Sequence, residues 1–159
     1  MEVNLSQYFK DDIAYLAQYR ERLISLADYL DPADAAFLLD YATHGIDQEL
    51  AFCQSAVRAN EEPTVAFEGR PEEGTPQKRA VGPSFALELA ALTPCFTVYA
   101  ARKPFPLYAS EWFQTAAAKM QAIYDKYYAR YPEYQAAMTA ALEQAISQEN
   151  KGLDQLCLT

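Results

Sequence analysis

Apolar residues recur every three or four positions along most of this chain and nowhere alternate in and out, so the sequence commits to helices and offers no strand for a sheet. A first helix opens at Ser6 or Gln7, and Phe9, Ile13, Leu16, Leu23, Ala27 and Leu30 keep its period. It stops at Asp31-Pro32, where Asp31 is placed to cap the next helix and Pro32 suits its first turn, because a missing N–H costs nothing there. That second helix carries Phe37, Leu38, Tyr41, Ile46, Leu50, Phe52 and Val57, with Gly45 as a weak point in the middle. A third runs from about Pro83 to Lys103 and ends at Pro104-Phe105-Pro106. Ser110 is placed to cap a fourth, through Trp112, Phe113, Met120, Ile123, Tyr124 and Tyr127. The fifth runs from Pro132 through Tyr134, Met138, Leu142 and Ile146, and Gly152 is expected to interrupt its last turns. Helices joined by short turns predict an all-α bundle, a single domain over residues 1–159.

Residues 59–82 break the pattern. Pro63, Gly69, Pro71, Gly74, Pro76 and Gly82 punctuate a charged stretch without a period, which reads as a flexible loop. A structureless stretch of this length is unusual inside a compact domain, so it is either functional or the place of a missing element.

Charge and composition exclude several classes of partner. A net charge of −9 argues against nucleic acid and anionic membrane surfaces, both of which call for basic patches. No apolar run is expected to reach the roughly 18 residues that span a bilayer, and Met1-Glu2-Val3-Asn4 does not read as a signal peptide, so a cytoplasmic location is expected. Cys53, Cys95 and Cys157 form no disulfide framework, which fits a reducing compartment.

The segment 89–99 holds the most chemistry. Leu89, Leu92, Phe96 and Tyr99 line one helical face, while Pro94 lacks an N–H and its ring presses on the preceding turn. The bend turns the Cys95 thiol away from regular packing. Two readings stay open: a functional thiol, or a small buried hydrophobe, as most free cysteines are. Cys53, near Leu50 and Val57, reads as buried and inert, and Cys157 lies in a terminal turn. Taken alone, Asp12 and Glu149 read as solvated carboxylates on helix faces. His44 is the one histidine, four residues after Asp40, and no Glu-x-x-His occurs; it reads as a capping or core residue, and no metal or other cofactor is expected. Tyr124, Tyr127, Tyr128, Tyr131 and Tyr134 are spaced to pack a helix on a partner, which predicts a homo-oligomer, a dimer or tetramer.

Three distant segments together resemble the TenA family (thiaminase II). Tyr8-Phe9-Lys10-Asp11-Asp12-Ile13-Ala14-Tyr15-Leu16 is similar to that family's tyrosine, Gln-Asp pair and Tyr-Leu. Leu92-Thr93-Pro94-Cys95-Phe96-Thr97-Val98-Tyr99 resembles the segment bearing its nucleophilic cysteine. Ser147-Gln148-Glu149-Asn150-Lys151-Gly152-Leu153-Asp154 resembles the segment bearing its catalytic glutamate, and Tyr108 to Trp112 matches its Tyr-x-x-x-Trp, allowing a shift of one position. The resemblance implies a haem-oxygenase-like helical fold and a hydrolase of aminomethylpyrimidine or thiamin-related compounds, serving salvage of the thiamin pyrimidine. It implies Cys95 as nucleophile, Glu149 as proton shuttle, and Asp12 as the ligand of the pyrimidine amine and ring nitrogen. Tyr15 and Tyr99 would orient these groups or wall the ring, with no cofactor and a small pyrimidine as the partner.

The chain also departs from the family. Its fold is expected to lack the family's N-terminal helix and a middle helix with a pocket tyrosine, and the apolar surface so uncovered again predicts association. Ala116 stands where a second pocket tyrosine is expected, and Gly152-Leu153 replaces an aromatic pair. Cys53 follows Glu49-Leu50 where the family often has a histidine. These losses give the alternative of a non-catalytic helical domain that binds a ligand or another protein.

Overall fold

The computed structural model describes residues 5–60 and 84–157, and among these every regular element is helical, so the expected all-α bundle is what the chain forms. The chain divides into two compact units, residues 1–78 and 79–159.

The first unit holds α1 (Leu5–Ala27), α2 (Pro32–Asp40) and α3 (Ile46–Asn60). α1 packs along α3 and α2, burying Phe9, Leu16, Tyr19, Leu23 and Leu26 with Leu38, Ala42, Ile46 and Cys53. At about 25 cal/mol per Å² of apolar surface, each fully buried leucine contributes roughly 2 kcal/mol to this core. α1 ends three residues before Leu30, and the N–H of Tyr29 bonds the Leu26 carbonyl at 3.0 Å, tightening the exit. Pro32 opens α2 as expected, but Asp31 makes no side-chain cap; its carbonyl accepts from Ala35 N–H at 2.8 Å instead.

Gly45 does not weaken the helix. The chain widens into one π turn over Tyr41–Gly45, joining α2 to α3 without a gap. A Cβ on Gly45 would stand 2.5 Å from Tyr41 Cδ2, so glycine is what lets the Tyr41 ring lie over the turn. In this register the Ile46 N–H bonds the Tyr41 carbonyl rather than that of Ala42. Arg20 of α1 donates to the Ala42 carbonyl at 2.6 Å and to Asp47 at 3.0 Å. α3 continues to Asn60; the rest of the expected 59–82 loop lies outside the described residues.

The second unit holds α4 (Ser84–Leu92), α5 (Pro94–Arg102), the short α6 (Pro106–Ala109), α7 (Glu111–Arg130) and α8 (Gln135–Cys157), the last entered by a 3₁₀ turn over Pro132–Tyr134. The expected third helix is therefore two helices, parted at Thr93 because Pro94 has no N–H for the Ala90 carbonyl. Thr93 keeps helical angles (φ −57°, ψ −44°), and its hydroxyl donates to the Leu89 carbonyl at 2.7 Å, so α5 continues much of the course of α4. Left-handed Lys103 (φ 49°) closes α5 through its N–H to the Tyr99 carbonyl at 2.8 Å.

Contrary to expectation, one run, Ser84–Arg102, is long and apolar enough by length and composition to cross a membrane. Within the unit its Ala86, Leu89, Ala90, Leu92, Phe96 and Val98 are buried. Ser110 caps α7 as expected, its Oγ accepting from Phe113 N–H at 3.2 Å. Gly152 does not interrupt α8, which runs on to Cys157. Glycine costs a helix about 1 kcal/mol relative to alanine, and burial of the adjacent Leu153 offsets it.

α7 runs back beside α5 and α8 returns, so α4, α5 and α8 point the same way. Phe85, at the start of α4, meets Tyr131 (5.5 Å) and Tyr134 (6.4 Å) before and in the turn that enters α8. The tyrosine series is thus not an exposed stripe. Tyr124 and Tyr127 are buried, Tyr128, Tyr131 and Tyr134 are half-buried, and Tyr127, Tyr131 and Tyr134 surround Phe85 edge to face. The same helical spacing serves a neighbouring helix of the same unit.

Candidate functional site: two cysteine–carboxylate pairs

In the first unit, α1 presents Asp12 to Cys53 of α3, whose thiol donates to Asp12 Oδ2 at 3.4 Å. Along the π turn and α3, Tyr41, Gly45, Glu49 and Cys53 stand four residues apart. The Tyr41 hydroxyl donates to Glu49 Oε2 at 2.5 Å, and the Glu49 residue is only 6% exposed. A buried carboxylate demands such a partner, since leaving it unbonded costs several kcal/mol. Burial, then the charge of Asp12 and its hydrogen bond, then the charge of Glu49, push the Cys53 thiol far above its ordinary value. Cys53 therefore keeps its proton, and its expected inertness has a cause beyond burial. Tyr15, three residues after Asp12, stacks on Tyr19 with ring centroids 5.8 Å apart.

In the second unit, Cys95 is the second residue of α5, and its thiol lies 3.7 Å from Glu149 Oε2 on α8. These two positions, 54 residues apart, are the pair that the resemblance implies. The setting is milder than that of Cys53: Cys95 and Glu149 are half-buried. Thr93 carries the helical path past Pro94, so Cys95 gains little from a fresh helix N-terminus. Tyr99, one turn on, packs its ring 4.9 Å from that of Tyr108, which meets Phe113 edge to face at 4.8 Å. At the far end of α5, Arg102 donates to the Asn150 carbonyl (3.3 Å) and side chain (3.1 Å), and pairs with Asp154 at 2.8 Å. Ala116 is buried on α7.

The first unit thus joins the expected Asp12 to Cys53, a thiol not expected at the site, and the second joins two expected site residues, Cys95 and Glu149. Glu49 and Tyr41 were missed. The available signal was a carboxylate at position 49 on the face that carries Ala42, Ile46 and Cys53, where a charge is rare. His44 is neither cap nor core; it is exposed and 3.0 Å from Asp40 one turn back. Among the described residues no three metal-ligating side chains converge.

Fold and geometry together define an all-α protein that places a half-buried cysteine against a glutamate. Comparisons with protein-family models, with curated proteins and with solved structures found no match.

Proposed function

We propose that the protein is a TenA-like hydrolase that breaks the C–N bond at the methylene of an aminomethylpyrimidine or a thiamin-related compound. The observation that carries this reading is the 3.7 Å approach of Cys95 to Glu149. A thiol with an ordinary pKa near 8.5 and a carboxylate near 4.3 differ by about four units, or roughly 6 kcal/mol, so full proton transfer at rest is unfavourable. The proton therefore moves as the carbon–sulfur bond forms. Glu149 takes it from Cys95 while Sγ attacks the methylene carbon, and the C–N bond breaks as Glu149 returns that proton to a leaving amine; a thiazolium leaves as neutral thiazole without it, and Glu149 then gives the proton to solvent. Water then attacks the same carbon and Glu149 accepts its proton; the C–S bond breaks as Glu149 hands that proton to the departing sulfur, regenerating the thiol and releasing the alcohol. Within the second unit the resemblance gives Tyr99, one turn after Cys95, a face of the pyrimidine.

The test is ammonia release from an aminomethylpyrimidine, with intact-protein mass spectrometry to detect the thioether adduct. Hydrolysis by the unmodified protein and none by Cys95→Ser supports the reading. Hydrolysis that survives Cys95→Ser overturns it, as does the absence of both hydrolysis and calorimetric binding, which would favour a non-catalytic helical domain.

A further inference from the structure

The 3.7 Å approach of Cys95 to Glu149 depends on the register between α5 and α8. A slip of one residue along a helix is about 1.5 Å of translation and about 100° of rotation, enough to swing Glu149 off Cys95. Beside the packing of α4 and α5 on α8, Arg102 makes a polar contact between α5 and α8. It stands seven residues after Cys95, about 10 Å further along the helix and close to the same face. One of its nitrogens, Nη1, reaches the carbonyl and the side-chain oxygen of Asn150, the residue next to Glu149, and the carboxylate of Asp154 one turn on. Contact with a backbone carbonyl and with two side chains one turn apart fixes both the height and the rotation of this stretch of α8. Because α5 and α8 run the same way, the two contacts lie in sequence along one seam.

The Arg102–Asp154 bond is a poor device for holding the fold together. The Arg102 side chain is 28% and that of Asp154 64% exposed, and ion pairs open to water add little to stability. Nη1 alone makes these contacts, but the planar guanidinium fixes the direction of that nitrogen, whereas a lysine ammonium turns freely on its stem.

We infer that Arg102 is a positioning residue for the Cys95–Glu149 pair, locking the register of α8 so that the carboxylate stays on the thiol. This rests on the reading of Cys95 and Glu149 as the reacting pair, but the experiment needs no substrate. The rate of iodoacetamide labelling at Cys95 is followed against pH by peptide mass spectrometry in the unmodified protein, Glu149→Gln, Arg102→Met, Arg102→Lys and Arg102→Met/Glu149→Gln.

Removing the negative charge beside Cys95 in Glu149→Gln should lower the midpoint of the profile and raise the labelling rate at pH 7 by about two- to fivefold. Arg102→Met and Arg102→Lys should both move toward the Glu149→Gln profile, and the double variant should go no further. If Arg102 acted only through its charge, Arg102→Met would shift the midpoint up, and Arg102→Lys would not shift it. Either of those results, or unshifted profiles in both single variants, overturns the inference. So does a double variant that moves beyond Glu149→Gln. A flat response to Glu149→Gln removes the pairing on which both proposals rest. A shifted Arg102 series in a protein that hydrolyses no pyrimidine refutes the hydrolase and leaves the positioning role standing. Circular dichroism on each variant confirms that the helices persist, and Arg102→Lys keeps the test open if Arg102→Met does not fold.

Discussion

Cys53 and Cys95 each have a carboxylate oxygen within reach of the thiol, Asp12 at 3.4 Å and Glu149 at 3.7 Å, yet the two pairs have opposite chemical prospects. Cys53 is fully buried, and a second carboxylate, Glu49, stands behind it with the Tyr41 hydroxyl as its partner. Desolvation and two negative charges all favour the neutral thiol, so this proton is held, and its use is to bond Asp12. Cys95 is half-buried, with the Glu149 carboxylate beside it, so a reagent has more access to its thiol than to that of Cys53. Distance alone does not make a reactive pair; the dielectric surroundings and the number of charges do.

The comparison breaks first at the nucleophile. Cys95→Ser should abolish covalent turnover of an aminomethylpyrimidine, read by ammonia release, and Glu149→Gln should lower kcat about 10²–10⁴-fold. Adduct formation at Cys53 rather than Cys95 would invert the assignment. Next comes reagent selectivity: iodoacetamide at neutral pH should label Cys95 at least about 10² times faster than Cys53, since both thiolate fraction and access favour Cys95. Similar rates would mean the first unit opens far more readily than its packing indicates.

The surroundings of Cys53 can be tested through the π turn. Gly45→Ala brings a methyl against the root of the Tyr41 ring and should displace the hydroxyl from Glu49, costing about 2–4 kcal/mol in chemical denaturation. A neutral Gly45→Ala would show that the ring has room to move. The smallest effect is alkaline. The folded state holds the Cys53 thiol far above its ordinary value, so the unfolded chain loses this proton first, and the stability it confers, complete below about pH 8.5, is lost as pH rises beyond. The slope approaches about 1.4 kcal/mol per pH unit for one proton. Cys53→Ala should flatten the decline above pH 9, and an unchanged decline would assign it to other groups.

Much of the fold was legible because helices are local objects. The apolar period placed the five helical stretches, Ser110 announced the start of α7, and Pro94 announced the break before Cys95. The misreadings came where a local rule met a tertiary partner. Gly45 signals a weak helix until the Tyr41 ring takes up the space of its missing Cβ. Gly152 signals a stop until the burial of Leu153 holds α8 together. Tyr127 and Tyr131 read as packing on a partner until Phe85 of α4 sets its edge against their rings.

The sequence by itself determined the all-α class, the elements and the identity of the residues able to do chemistry, since spacing, proline and side-chain type are all written in the chain. Only the tertiary structure decided which carboxylate meets which thiol. Asp12 and Cys53 are 41 residues apart, and Cys95 and Glu149 are 54. No local rule links positions so distant; their meeting follows from how α1 lies on α3 and α5 on α8, and burial then sets whether each thiol can give up its proton.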